Sequence, residues 1–190
     1  MERRDFLHLF GASLGAALLA RPLAAAAAAR SQSPLVLGAG EWAALEAACA
    51  RILPPVSGVS VRDAGCVNFI DKLLAHEEQA QLPMYRAGLA ALDAIARTRW
   101  QHDFATLDEA RQVTLLEELE DGKLAPWPAT AGAQPALFGS LRFNTLLGFL
   151  AAPAHGGNRG GVGWKAVGHV GHLHGAGGAT DEQVMGIASS

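Results

Sequence analysis

The sequence is short of the residues from which active sites are usually built. It has one tyrosine and two cysteines in 190 residues, and two cysteines alone make no zinc site. It contains no G-x-S-x-G elbow, no H-E-x-x-H helix and no G-x-x-x-x-G-K phosphate loop. It also lacks a basic stripe. From Arg30 onward 12 lysines and arginines stand against 16 acidic residues, a balance of −4 with the signs interspersed, which argues against nucleic acid as a partner. No segment alternates as a strand would, no internal repeat recurs, and no second apolar run approaches the ~20 residues that a bilayer span needs.

What is present starts at the N-terminus. Arg3 and Arg4 are followed by Asp5, Phe6 and Leu7, then by an apolar run from Leu9 to Leu19 and an alanine tract from Ala24 to Ala29. A basic region, a short apolar stretch and small residues make an export signal over residues 1–29. The twin arginines with Phe6 and Leu7 give it the pattern of a Tat signal, although Glu2 stands where serine or threonine is usual. A general secretory signal or an uncleaved anchor is the plainer alternative. The Tat translocase moves folded cargo, so the chain is expected to fold inside the cell, with a cofactor or bound to something that has one. It is then expected to work in the periplasm.

The remaining ~160 residues are the length of one domain. Residues 30–40 read as a linker. "GEWAALEAACARILP" follows, with Trp42, Leu45, Ala48 and Ile52 at helical spacing and Pro54-Pro55 as a stop. "RDAGCVNFIDKLLA" reads as a second amphipathic helix, with Val67, Ile70 and Leu74 on one face and Asp63 as its N-cap. Tyr85, Leu89, Leu92 and Ala96 define a third. In the fourth, Thr106 and Glu109 suggest a capping box, Val113, Leu116 and Leu119 an inner face, and Gly122 the end. A loop over residues 125–134 leads to a fifth helix, with Phe138, Leu141, Thr145 or Leu146, and Phe149 inward. The expected fold is one all-α domain of about five helices over residues 41–171, ending in an irregular glycine-rich segment. Residues 172–190 read as a flexible tail.

Three features could carry chemistry. The stretch "HGGNRGGVGWKAVGH", residues 155–169, could cradle a ligand or meet another protein. Gly161–Ala166 matches G-x-G-x-x-A, but that fingerprint requires a preceding strand and a following helix in a βαβ unit, and neither is expected. Glycines let backbones approach closely, Asn158 tolerates unusual dihedrals, and Arg159 and Trp164 are residue types that dominate interfaces. A compatible, plainer role has Trp164 filling the core while the glycines route the chain. His155, His169, His172 and His174 could bind zinc or copper, but glycines and apolar residues separate them and no acid lies among them. Asp63, Asp71, Glu77 and Glu78 read as solvated helix positions, and Glu117, Glu118, Glu120 and Asp121 as an exposed acidic face. The pair Cys49 and Cys66 leaves three states open: an internal disulfide, two free buried thiols, or a bond to another chain.

"RDAGCVNFIDKLLA", "TLLGFLAAPAHGGNRGGVGWKAVG" and the Tat-like leader together resemble the gluconate 2-dehydrogenase subunit 3 family, over about residues 40–171. The matching positions are Gly148, Phe149, Pro153, Gly156, Gly157, Asn158, Arg159, Gly163, Trp164 and Lys165. The chain departs from the pattern at Ala151-Ala152, His155 and Gly160, where Ser-Asp, an aromatic residue and an acid would stand, so two carboxylates are missing from the loop. The resemblance implies a small accessory subunit with no cofactor of its own. Its partner would be a large subunit carrying FAD that oxidises sugars, sugar acids or related alcohols, and a cytochrome c subunit with haem c often takes the electrons onward. It also implies that Gly156, Gly157, Asn158, Arg159, Gly163, Trp164 and Lys165 face that partner. The rival expectation is a stand-alone metal-binding protein using the four histidines, and a further one is a helical adaptor for an unrelated partner.

Overall fold

The structure is a computed structural model in which residues 34–169 are described. Seven α-helices lie among the described residues: α1 (Ala39–Ile52), α2 (Val61–Ala64), α3 (Cys66–Ala75), α4 (Leu82–Trp100), α5 (Glu109–Glu120), α6 (Gln134–Leu150) and α7 (Val162–Ala166). No strand occurs among them, so the all-α expectation holds. Five of these are the helices read from sequence. The two short ones arise where glycine interrupts the chain.

Helix α1 is the hub and packs against α2, α3, α4, α5 and α6. Its inner positions are small or compact, Ala44, Leu45, Ala48 and Cys49, all buried, and small side chains let several neighbours come close to one axis. The helix stops at Ile52 because Leu53 precedes Pro54 and turns extended, φ −130° and ψ 91°. Helix α4 reaches α6 in the same close manner. At Gly88 a Cβ would lie 2.1 Å from Leu137 Cδ2, so a larger residue there would displace the Leu137 side chain.

The segment read as one helix from Arg62 to Ala75 is two. Gly65 sits in the left-handed region, φ 75° and ψ 34°, ending α2 and starting α3. The N-cap of α2 is Ser60, not Asp63. The Ser60 hydroxyl accepts from the Asp63 N–H at 3.1 Å, and Asp63 in turn accepts from the Ser60 N–H at 2.9 Å. In α5 the cap is likewise displaced. Asp108 accepts from the Arg111 N–H at 2.9 Å, while Thr106 belongs to a 3-10 turn, its hydroxyl donating to Asp103 O. The inner face of α5 is Gln112, Leu115, Leu116 and Leu119. Val113 is 39% exposed, because Gln112 turns inward and its amide lies within bonding distance of the Phe104 and Ala105 carbonyls, 3.2 and 3.4 Å. Gly122, φ 72°, closes α5 as expected: its N–H bonds Leu119 O and the Lys123 N–H bonds Glu118 O.

Asp71 departs most from expectation. It is 1% exposed, and its carboxylate accepts three backbone N–H groups, from Leu35 (2.6 Å), Val36 (3.1 Å) and Leu37 (3.0 Å). Residues 35–37 are therefore seated on α3, with Leu37 in the core, and are no loose connector. Leader residues Arg3, Arg4, Phe6 and Leu7, and the tail from 172, lie outside the described residues.

Cys49 and Cys66 are two free, fully buried thiols. The Thr145 hydroxyl bridges Leu141 O (2.7 Å) and Cys49 Sγ (3.2 Å). Burial pushes Cys49 up to about 12 from the ordinary 9.0, against the Thr145 hydrogen bond. Burial, reinforced by Cys49, does the same to Cys66. Buried Tyr85, bonded to Ser140 (3.0 Å) and Asn144 (3.1 Å), is pushed from 10.0 to about 12, again by burial first.

Two outcomes are expected. Asp71→Ala leaves three N–H groups without their charged acceptor and should cost about 3 kcal/mol, lowering the thermal midpoint by roughly 10 °C. The two thiols and Tyr85 keep their protons in the fold beyond the pH at which the unfolded chain releases them. Their contribution is complete below pH 9.0 and is lost as pH rises toward about 12. Melting temperatures should therefore hold to about pH 9 and fall above it, and neither thiol should react with a disulfide reagent until the protein is denatured.

Candidate functional site

The last turn of any α-helix leaves carbonyls without intrahelical donors. Helix α6 ends at Leu150 on an apolar sequence that offers no side-chain donor of its own. The glycine-rich loop supplies the donors. The Asn158 N–H bonds Gly148 O at 2.7 Å, the Asn158 side-chain amide donates to Ala151 O at 3.0 Å, and the Trp164 indole N–H donates to Leu150 O at 2.6 Å.

Asn158 holds this arrangement together. It is fully buried and left-handed, φ 42° and ψ 46°, a conformation that asparagine tolerates better than most residues. Its side-chain oxygen accepts from the Gly163 N–H at 2.8 Å and its carbonyl from the Gly161 N–H, also at 2.8 Å. One residue thus joins the end of α6 to the start of α7.

Two glycines make room for that junction. A Cβ at Gly157 would stand 2.2 Å from Gly148 O, and one at Gly163 would stand 1.9 Å from Phe149 O. Gly148 itself packs on the Cys66 backbone across α3. Asn68 on α3 donates to Gly156 O at 2.6 Å, and Ser57 to Ala166 O at 3.0 Å.

These contacts show what the chain itself makes of the residues expected at an interface. Gly157, Asn158 and Gly163 are buried within this chain and offer no surface, and Gly156 is half-buried. Arg159 lies against Gly65, where a Cβ would fall 2.4 Å from its Nε. Of the seven residues, Lys165 is exposed, and Trp164 is half-buried with its ring edge to His169 at 5.7 Å. The loop is the cap of α6. No phosphate fingerprint operates at Gly161–Ala166, since no strand precedes it among the described residues.

Two of the four histidines fall among the described residues. His155 and His169 are exposed, and His172 and His174 lie outside the described residues. Among the described residues no three His, Cys, Asp or Glu side chains form a group that could hold a metal ion.

The surface that does stand out was missed. Helix α6 buries Leu137, Leu141, Asn144, Thr145, Gly148 and Phe149. Its opposite face carries Phe143, 60% exposed, Leu146, 40%, and Leu150, 41%. These recur at i, i+3 and i+7, the spacing of a buried stripe, and Arg142 is the one charged residue in this 17-residue helix. The spacing of Phe143, Leu146 and Leu150 is as regular in the sequence as that of the inner face. Beside the C-terminal half of this stripe runs a groove of about 470 Å³, walled by Phe69, Leu73, Leu147 and Ala151 and lined also by Lys72.

Among the described residues the conspicuous loop thus serves its own helix, and one face of that helix is apolar and exposed. The chain belongs to the gluconate 2-dehydrogenase subunit 3 family, whose model matches residues 39–171. Compared with curated proteins and with solved structures, it has no match. A subunit family of this kind places the chain in a multi-subunit dehydrogenase with a catalytic partner subunit.

Asn158→Gly keeps the backbone angle and removes two side-chain bonds to buried groups, which should cost about 2–3 kcal/mol in chemical denaturation. Gly163→Ala should cost more, since the α6–α7 junction must open to admit the methyl group. Gly40→Ala, in α1 with nothing within 4 Å of the added Cβ, should stabilise by about 0.5–1 kcal/mol.

Proposed function

We propose that this chain is the non-catalytic small subunit of a periplasmic flavin-dependent dehydrogenase. It docks on a large subunit that carries FAD, stabilises that subunit and takes it through the Tat translocase. The observation that carries this reading is the outer face of α6. A helix with an apolar stripe on each of two opposite sides is suited to burial on both. Here the fold covers one side, with Phe143, Leu146 and Leu150 left for a second chain.

Family membership supports the assignment of catalysis to a partner. The uses of this chain's buried polar groups support it as well. Asp71 is spent on residues 35–37, Asn158 on the end of α6, and Tyr85 on Ser140 and Asn144. Each does structural work and none faces a cleft. FAD accordingly belongs to the large subunit, and a cytochrome c subunit with haem c takes the electrons onward. The substrate class is a sugar, a sugar acid or a related alcohol.

Arg3, Arg4, Phe6 and Leu7 support folded export. A partner without a leader of its own must leave the cell attached to this one. Changing Arg3 and Arg4 together to lysine should leave the flavin-carrying subunit in the cytoplasm, measured by fractionation and flavin absorbance. Normal export of that subunit in the double variant would overturn the proposal.

A further inference from the structure

Two opposite charges along the groove beside α6 have no counter-charge within the chain. Eight ion pairs lie among the described residues, and neither Lys72 nor Glu77 is in any of them. Both line the same groove. Lys72, in the last turn of α3, is half-buried and runs along Gly156, where a Cβ would lie 2.8 Å from its Nζ. Glu77 is exposed just past the end of that helix at Ala75. Arg142, the one charged residue of α6, is already taken by Glu120. The stripe and its groove therefore offer a partner one free base and one free acid, set in apolar walls of Phe69, Leu73, Leu147 and Ala151.

A two-fold contact sets a patch against itself, so the patch must be complementary to its own copy. A face with charge of one sign repels its copy. A face with one acid and one base, placed on either side of the axis, attracts it. We propose that in the lone chain this face is closed by a second copy of the chain, about a two-fold axis that passes between Lys72 and Glu77. Lys72 of each copy then meets Glu77 of the other, and the C-terminal half of the stripe, Leu146 and Leu150, lies against its own counterpart. Every group that the contact needs is supplied by the described residues of the two copies. The contact is small, so its dissociation constant should be on the order of 10 µM. Such a contact shields the stripe from non-specific association and gives way to a larger interface. The inference goes beyond the accessory-subunit reading and rests on it only for what displaces the second copy.

The test is the mass of the full chain in solution by sedimentation equilibrium. The wild type should pass from monomer to dimer as concentration rises. Lys72→Glu alone and Glu77→Lys alone should each weaken the dimer about tenfold or more, since each sets like charge on like. An equimolar mixture of these two variants should dimerise to within about threefold of the wild type, because in the mixed pair each new charge faces its opposite. Only pairing between chains produces that recovery. Leu150→Asp should abolish the dimer and leave helical circular dichroism unchanged. Lys123→Gln, at the pair with Asp121, should change nothing.

A photoreactive benzoylphenylalanine in place of Leu146 reads the contact with no change of charge. In a mixture of isotope-labelled and unlabelled chains, cross-links should join one chain of each kind and fall in α3 or α6. A wild-type chain that stays monomeric up to about 100 µM overturns the proposal. So do single charge variants that dimerise as the wild type does, a mixture of the two folded variants that recovers nothing, or cross-links confined to one chain. None of these outcomes touches the accessory role, which the export of the flavin-carrying subunit tests. In the complex purified with that subunit the cross-link between copies should be gone. Its persistence there would leave the dimer standing and overturn the large subunit's use of this face.

Discussion

The end of α6 sets the terms for much of the molecule. A helix that finishes on apolar residues must find donors for its last carbonyls elsewhere, and here they come from residues that follow in the chain. Asn158 reaches Gly148 and Ala151 through two different N–H groups, and Trp164 reaches Leu150 with its indole. For those donors to arrive, two stretches of backbone must touch, and Gly157 and Gly163 are the positions of contact. Gly148 presses the same turn onto Cys66 and so fixes α6 on α3. A single capping requirement thus accounts for a glycine, an asparagine and a tryptophan that read in sequence as material for an interface.

The division of α6 into two faces follows from this. One face and the C-terminal end are consumed by the fold. The side bearing Phe143, Leu146 and Leu150 is not, and nothing in the loop bends back to cover it. A cap that turned over this side would have hidden the apolar stripe. By closing the end of the helix instead, the loop leaves the side open and holds it in a fixed orientation. The loop therefore serves the end of α6 and leaves its outer side free of the loop's own residues.

Helix positions were largely legible in the sequence, because periodic apolar residues such as Tyr85, Leu89, Leu92 and Ala96 follow the burial that fixes a helix face. Caps were less legible. Asp63 and Thr106 look like caps by residue type, yet Ser60 and Asp108 perform the role, since capping depends on dihedrals that spacing does not reveal. Asp71 could not be read at all. Its partners lie 34–36 positions earlier in the chain, and a long-range carboxylate–backbone contact leaves no local pattern. The glycine loop was legible as important but not in kind, since close approach between two backbones and close approach to a ligand require the same residue.

The seat of residues 35–37 has a mechanical consequence. Tension applied to the chain ahead of residue 34 does not fray a terminus. It loads the three hydrogen bonds on Asp71 and passes through that carboxylate into α3. From there it reaches α6 through the contact of Gly148 with Cys66 and the glycine loop through Asn68. A load on the residues ahead of 34 is thus borne by the interior of the domain and not by a loose end.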